Sequence, residues 1–152
     1  MTAPVAQLRC AHDPSPEPAT ATGTDTRALF AQVAFNHLLG LQREFAEGGV
    51  ARLSLDLRPE LTNNFGVVHG GVLMSLMDSA MSSAALSATG FQKAVVTIDM
   101  STSFHRPGRG RLLAHASCQG GGRSVCFCEA RVEDASGQVV ARAMGTFRYV
   151  RV

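Results

Sequence analysis

Asp78 is the residue that asks for a chemical explanation. It stands in the run from His69 to Thr89, which is small or apolar on almost every side and holds no other charge. An ionised, unpaired carboxylate in such surroundings costs on the order of several kcal/mol. No basic residue lies three or four positions away to pair with it. The acid either reaches solvent, braces the structure through a hydrogen bond, or sits in a cleft with its pKa raised toward that of a useful general base. The same run opens on His69-Gly70-Gly71. Two glycines at a helix start lower helix propensity but bare the backbone N–H groups there. Open N–H donors at the positive end of a helix suit an oxyanion. A tight turn packed against a sheet would use the same residues.

The spacing then sets a constraint. Asp78 lies eight residues after Gly70, which is ~12 Å along a helix. One carbonyl cannot touch both, because each contact needs ~3 Å. If both act on one substrate, they come from different subunits. Two antiparallel copies of the helix would set Gly70 of one chain near Asp78 of the other. The chemistry therefore predicts a homodimer with two composite sites.

The elements that must position these residues are legible in outline. Residues 1–25 hold four of the six prolines and read as a flexible tail, leaving 26–152 as a single domain. A helix is expected from about Asp25 to Leu39, capped by Thr24 or Asp25. A strand is expected from Gly48 to Pro59, where Leu53, Leu55 and Leu57 alternate with Arg52, Ser54 and Asp56. The long helix follows and stops at Gly90. Four strands then fill Val95–Phe104, Arg111–Gln119, Arg123–Asp134 and Gln138–Val150, joined by short turns as an antiparallel meander. One sheet wrapped around one central helix buries that helix with the least chain.

With these residues in order, the chain resembles a known family. Asn63-Asn64-Phe65-Gly66-Val67-Val68-His69-Gly70-Gly71, then Asp78, is similar to the hotdog-fold acyl-CoA thioesterases of the phenylacetate-pathway (PaaI-like) and THEM-two-like type. Val96-Thr97-Ile98-Asp99-Met100, Phe104-His105-Arg106-Pro107, Gly122-Arg123 and Ala143-Met144-Gly145-Thr146-Phe147 extend the likeness over about residues 27 to 151. It implies an α+β hotdog fold, an antiparallel five- to six-stranded sheet around a long central helix. It also implies roles. Gly70 would give its N–H to the thioester oxygen, and Asn63 would position the thioester or the water. His69 would hold the loop or assist the leaving sulfur. Asp78, from the partner subunit, would be general base for water or else nucleophile. Thr97, on the chain of that Asp78, would hold the water.

A thioester is already activated, so its hydrolysis needs a polarised carbonyl and an oriented water more than a potent nucleophile. Coenzyme A brings phosphates, and Arg106, Arg109 and Arg123, with Gly71, are the expected substrate- or CoA-binding residues; solvated turn arginines would look the same. The acyl group is expected to be aryl, arylacetyl or medium-chain. Met74, Met77 and Met81 could line its pocket or be plain core. A non-catalytic acyl-CoA sensor, a hydratase and a purely structural oligomer are the competing readings. The first has no use for a buried base.

Composition narrows the partners. A formal net charge of +2, from 14 basic and 12 acidic residues, does not argue for nucleic acid. No apolar run approaches the ~20 residues of a membrane span. The N-terminus has no apolar segment of signal-peptide type. Cys10, Cys118, Cys126 and Cys128 show no zinc-ligand spacing and read as reduced thiols of a cytoplasmic protein, with Cys126 and Cys128 on one strand face. No metal and no separate cofactor are expected, CoA being part of the substrate. The family likeness extends the dimer to a dimer of dimers.

Overall fold

A computed structural model describes residues 25–151 of the chain. The expected flexible tail and the Thr24 cap fall on residues 1–24 and lie outside the described part. Asp25 caps a 3₁₀ segment, Thr26–Gln32, through a bond that its side chain accepts from the Arg27 N–H. The chain then passes extended Val33 into helix α1, Ala34–Leu39, which ends on left-handed Gly40. The single helix expected here is thus two short pieces. The break is at extended Val33, and the first piece is pinned at its start, where the Thr26 N–H and hydroxyl both donate to the Phe91 carbonyl.

Strands β1, Gln42–Glu47, and β2, Val50–Asp56, form a hairpin around left-handed Gly48 and Gly49. Only the second was expected. Helix α2 runs Gly70–Ala88, with His69 as its cap. After it come β3 (Ala94–Phe104), β4 (Arg111–Gly121), β5 (Val125–Glu133) and β6 (Val139–Val150). All six strands lie in one sheet of order β1-β2-β4-β5-β6-β3, and every pairing is antiparallel.

The strand order corrects the meander. Of the four strands after α2, only β4, β5 and β6 follow one another across the sheet. Strand β3 crosses to the far edge and pairs with β6, while β4 pairs with β2. Helix α2 lies across the sheet's inner face. Leu76, Met77, Ala80, Met81, Ala84 and Ala85 are wholly buried there against Leu53, Leu55, Leu112, Val132 and Phe147. More than half of the helix is buried, and the strip carrying Met74, Ser75 and Asp78 is left partly open. Met77 and Met81 are core, whereas Met74 is exposed.

The loop before α2 is fixed by its own hydrogen bonds. The Asn63 side-chain oxygen accepts from the N–H groups of Phe65 (2.9 Å) and Val67 (3.4 Å). The Val68 N–H donates to the Gly108 carbonyl, and the His69 N–H to that of Leu61. Gly108 is a close approach: a Cβ there would stand 2.9 Å from Val68, 3.0 Å from Val140 and 3.2 Å from Leu112. The Pro107-Gly108 turn thereby locks the site loop onto the sheet.

Candidate active site

Helix α2 carries both suspected groups, at its start and in its middle. The first turn decides which N–H is open. The His69 carbonyl accepts from Val72 and Leu73, and the Nδ1 atom of His69 accepts from Gly71 at 3.0 Å. The Gly70 N–H is the one donor of that turn left without an acceptor among the described residues. Gly71, expected to share in binding, has its N–H occupied by His69. Accepting at Nδ1 requires a ring that is neutral with its proton on Nε2, so His69 presents an N–H outward. The ring of Phe104, the last residue of β3, covers Gly70 closely enough that a Cβ would meet it at 3.3 Å.

Asp78 is half-buried on the face that meets β3. The Thr97 hydroxyl donates to its carboxylate at 2.7 Å. Burial raises the Asp78 pKa above the ordinary carboxylate value, and the Thr97 bond pulls it partly back. A carboxylate so placed is a better base than a solvated one, and the hydroxyl beside it is a second anchor for a water. The Asn63 amide oxygen is spent inside its loop, which leaves its Nδ2 as the free donor.

These groups form two clusters in one chain. Asp78 meets Thr97 in the first half of β3; Gly70 meets Phe104 at its end, with His69 and Asn63 in the loop that leads into α2. The arginines divide in the same way. Arg106 and Arg109 follow the end of β3, and Arg109 donates to the Gly66 carbonyl at 2.7 Å, bracing the site loop. Arg123 lies beyond the other end, where the Lys93 ammonium donates to its carbonyl at 3.1 Å. The eleven residues of β3 separate the ends by ~33 Å. The Phe104 contact and the Arg109 brace were not foreseen in the sequence. Their signal was there in Phe104-His105-Arg106-Pro107, where an aromatic residue and a cation flank a chain reversal.

Strand β3 is an edge of the sheet, with no neighbour on its outer side among the described residues. It exposes Val96 (50%) and Ile98 (55%), an apolar stretch on an open edge. A groove of about 500 Å³ runs over the outer face of the sheet, lined in part by Phe45, His115, Arg131, Arg142 and Met144. It contains none of the residues of α2 or its loop. No helix among the described residues is long and apolar enough to cross a membrane.

Comparison with known proteins agrees with this fold. The Thioesterase superfamily matches residues 65–141. A proposed esterase of Halobacterium salinarum is 36% identical over 142 residues, spanning 84% of this chain and 94% of its own. A medium/long-chain acyl-CoA thioesterase of Salmonella typhimurium is 27% identical over 129 residues, covering 74% of this chain and 83% of its own. Among solved structures, a conserved Pseudomonas aeruginosa protein superposes with a TM-score of 0.74 at 34% identity, over 77% of this chain and 94% of its own. The Escherichia coli PaaI protein of the phenylacetic acid degradation operon shares the fold, with a TM-score of 0.74 at 23% identity, over 83% and 91%.

Proposed function

The chain belongs to the thioesterase superfamily, and from that premise we propose that it hydrolyses an acyl-CoA thioester to the free acid and CoA in a site shared by two protomers. Thioester hydrolysis is the family's chemistry; the residues, the acyl group and the dimer are our reading. The observation that carries it is on α2. A half-buried Asp78 held by Thr97 and an open Gly70 N–H share one helix, too far apart for one substrate.

In the mechanism, the Gly70 N–H and the helix end polarise the thioester carbonyl. Asp78 of the other protomer takes a proton from a water that Thr97 helps to hold. The water oxygen bonds to the carbonyl carbon, and the oxyanion rests on Gly70. Collapse breaks the carbon–sulfur bond. The departing sulfur takes a proton from protonated Asp78, with the His69 Nε2–H as a hydrogen-bond donor beside it, and the free acid is released. Asn63 Nδ2 orients the thioester beside Gly70.

The open edge of β3 supports the dimer. Two β3 strands paired antiparallel about a centre at Met100–Ser101 bring Thr97 of one chain opposite Phe104 of the other. Asp78 then faces the partner's Gly70, and Arg123 approaches the partner's Arg106 and Arg109, making one cationic rim for the CoA phosphates. Apolar Phe45 and Met144 on the outer face support a further pairing of dimers. The acyl group is aryl, arylacetyl or medium-chain, and the name of the Salmonella relative, a medium/long-chain acyl-CoA thioesterase, favours the last.

The test is free-thiol release from acetyl-, hexanoyl-, palmitoyl-, benzoyl- and phenylacetyl-CoA, with the protein's own thiols blanked. Turnover of one class, with a loss of about a hundredfold or more in Asp78→Asn, is expected. Binding of every thioester without release of thiol contradicts the hydrolase and favours a sensor.

A further inference from the structure

Outside the active site, the chemistry-bearing group that stands out is a cluster of three thiols. Cys118 on β4 and Cys128 on β5 are direct partners across the strands, and Cys126 shares the inward face of β5 with Cys128. The three sulfurs all lie within 4.8 Å of one another. Cys126 and Cys128 are buried, and Cys118 is partly open to solvent. The Cys118 N–H is committed to the Gly49 carbonyl on the β2 side, so the Cys118–Cys128 pair is one that exchanges no hydrogen bonds, with closely set side chains. The cluster packs near the C-terminal half of α2, where Tyr149 donates to the Ala85 carbonyl at 3.5 Å. Ala85 is seven residues past Asp78, ~10 Å along the helix, so this is a separate place.

The geometry selects a ligand class. A metal–sulfur bond of about 2.3 Å puts three sulfurs around one centre no more than about 4 Å apart, inside the 4.8 Å limit within which these three lie. No His, Asp or Glu belongs to the group among the described residues, so three sulfurs are its donors, with the Tyr149 hydroxyl in hydrogen-bond contact with Cys126 beside them. A divalent ion on three thiolates would leave net negative charge in the core. A trivalent centre leaves none.

We propose that Cys118, Cys126 and Cys128 form a three-sulfur site for trivalent thiophilic arsenic or its heavier congener antimony. Arsenous acid, As(OH)₃, enters at Cys118. Three As–O bonds break and three As–S bonds form; each thiol gives its proton to a departing hydroxide, and three waters leave. Nothing is oxidised or reduced, and the product is uncharged.

The experiment loads the full chain with sodium arsenite, using a phosphine reductant because a dithiol would compete for arsenic. X-ray absorption at the arsenic edge counts the sulfur neighbours. One arsenic per chain with three sulfurs is expected, together with a rise in Tm as the folded state is cross-linked. Cys10→Ser must leave binding unchanged, and Cys118→Ala, Cys126→Ala and Cys128→Ala must each weaken it more than tenfold. Circular dichroism shows which variants fold, and the wild-type sulfur count stands without them. Two sulfurs, oxygen neighbours only, no bound arsenic, or dependence on Cys10 each overturns the site.

Discussion

At the scale of the residue, the account rests on the protonation of Asp78. Its pKa is raised in the folded chain, chiefly by burial. The folded state therefore holds a proton that the unfolded chain has released, and stability falls as pH rises through the folded pKa. Asp78→Asn removes that slope. The variant should lose activity yet unfold at the same temperature as wild type, or higher, near pH 7; a lower Tm would mark Asp78 as a structural brace. Thr97 gives the second prediction. Its hydroxyl favours the charged carboxylate, so Thr97→Val should move the acid limb of the pH–rate profile to higher pH as well as slow the reaction. An acid limb that stays put in Thr97→Val would mean that Asp78 is not the group titrating.

Elements position these residues, and here the sequence is uneven evidence. Helix α2 is legible because apolar and small residues surround one acid, and because Gly70 and Gly90 stand at its ends. Strand β5 is legible from Cys126, Cys128, Ala130 and Val132, which alternate inward. Strand β1 is not, since Gln42-Arg43-Glu44-Phe45 carries no apolar alternation. It is held from outside, by pairing with β2 and by Arg52 and Arg111, which grip Glu44 at 2.6 and 3.1 Å. Strand order was hidden too, since short turns say that neighbours are antiparallel but not which strand crosses. Within the site, Asp78 and Gly70 could be read from residue type and spacing. The capture of the Gly71 N–H by His69 could not, because it depends on a rotamer. Two predictions belong here. Gly108→Ala should cost about 1–3 kcal/mol in urea unfolding, since Val68, Val140 and Leu112 close on it from three sides. Gly70→Pro should keep the helix, because proline suits its first position, while removing the one open N–H. Activity should fall by about a hundredfold or more; full activity would dismiss Gly70 as the oxyanion donor.

For the whole molecule, the claim is that one chain is half an active site twice over. Each end of β3 holds one half: Asp78 with Thr97, and Gly70 with His69 and Asn63. In the proposed dimer, the apolar edge of β3 joins those ends to a second copy. Ile98→Arg should yield a folded monomer by light scattering with little thioesterase activity; an active monomer would contradict the composite site.

The most direct measurement is complementation in thiol release. Asp78→Asn and Gly70→Pro are each purified, unfolded together, refolded as a mixture and assayed with the best acyl-CoA. A composite site leaves one intact pair in every mixed dimer, Gly70 from the first variant and Asp78 from the second. The account predicts that two inactive proteins regain about a quarter of wild-type activity, since half the dimers are mixed and each has one working site of two. A refolded mixture that contains mixed dimers and stays as inactive as its components would contradict it.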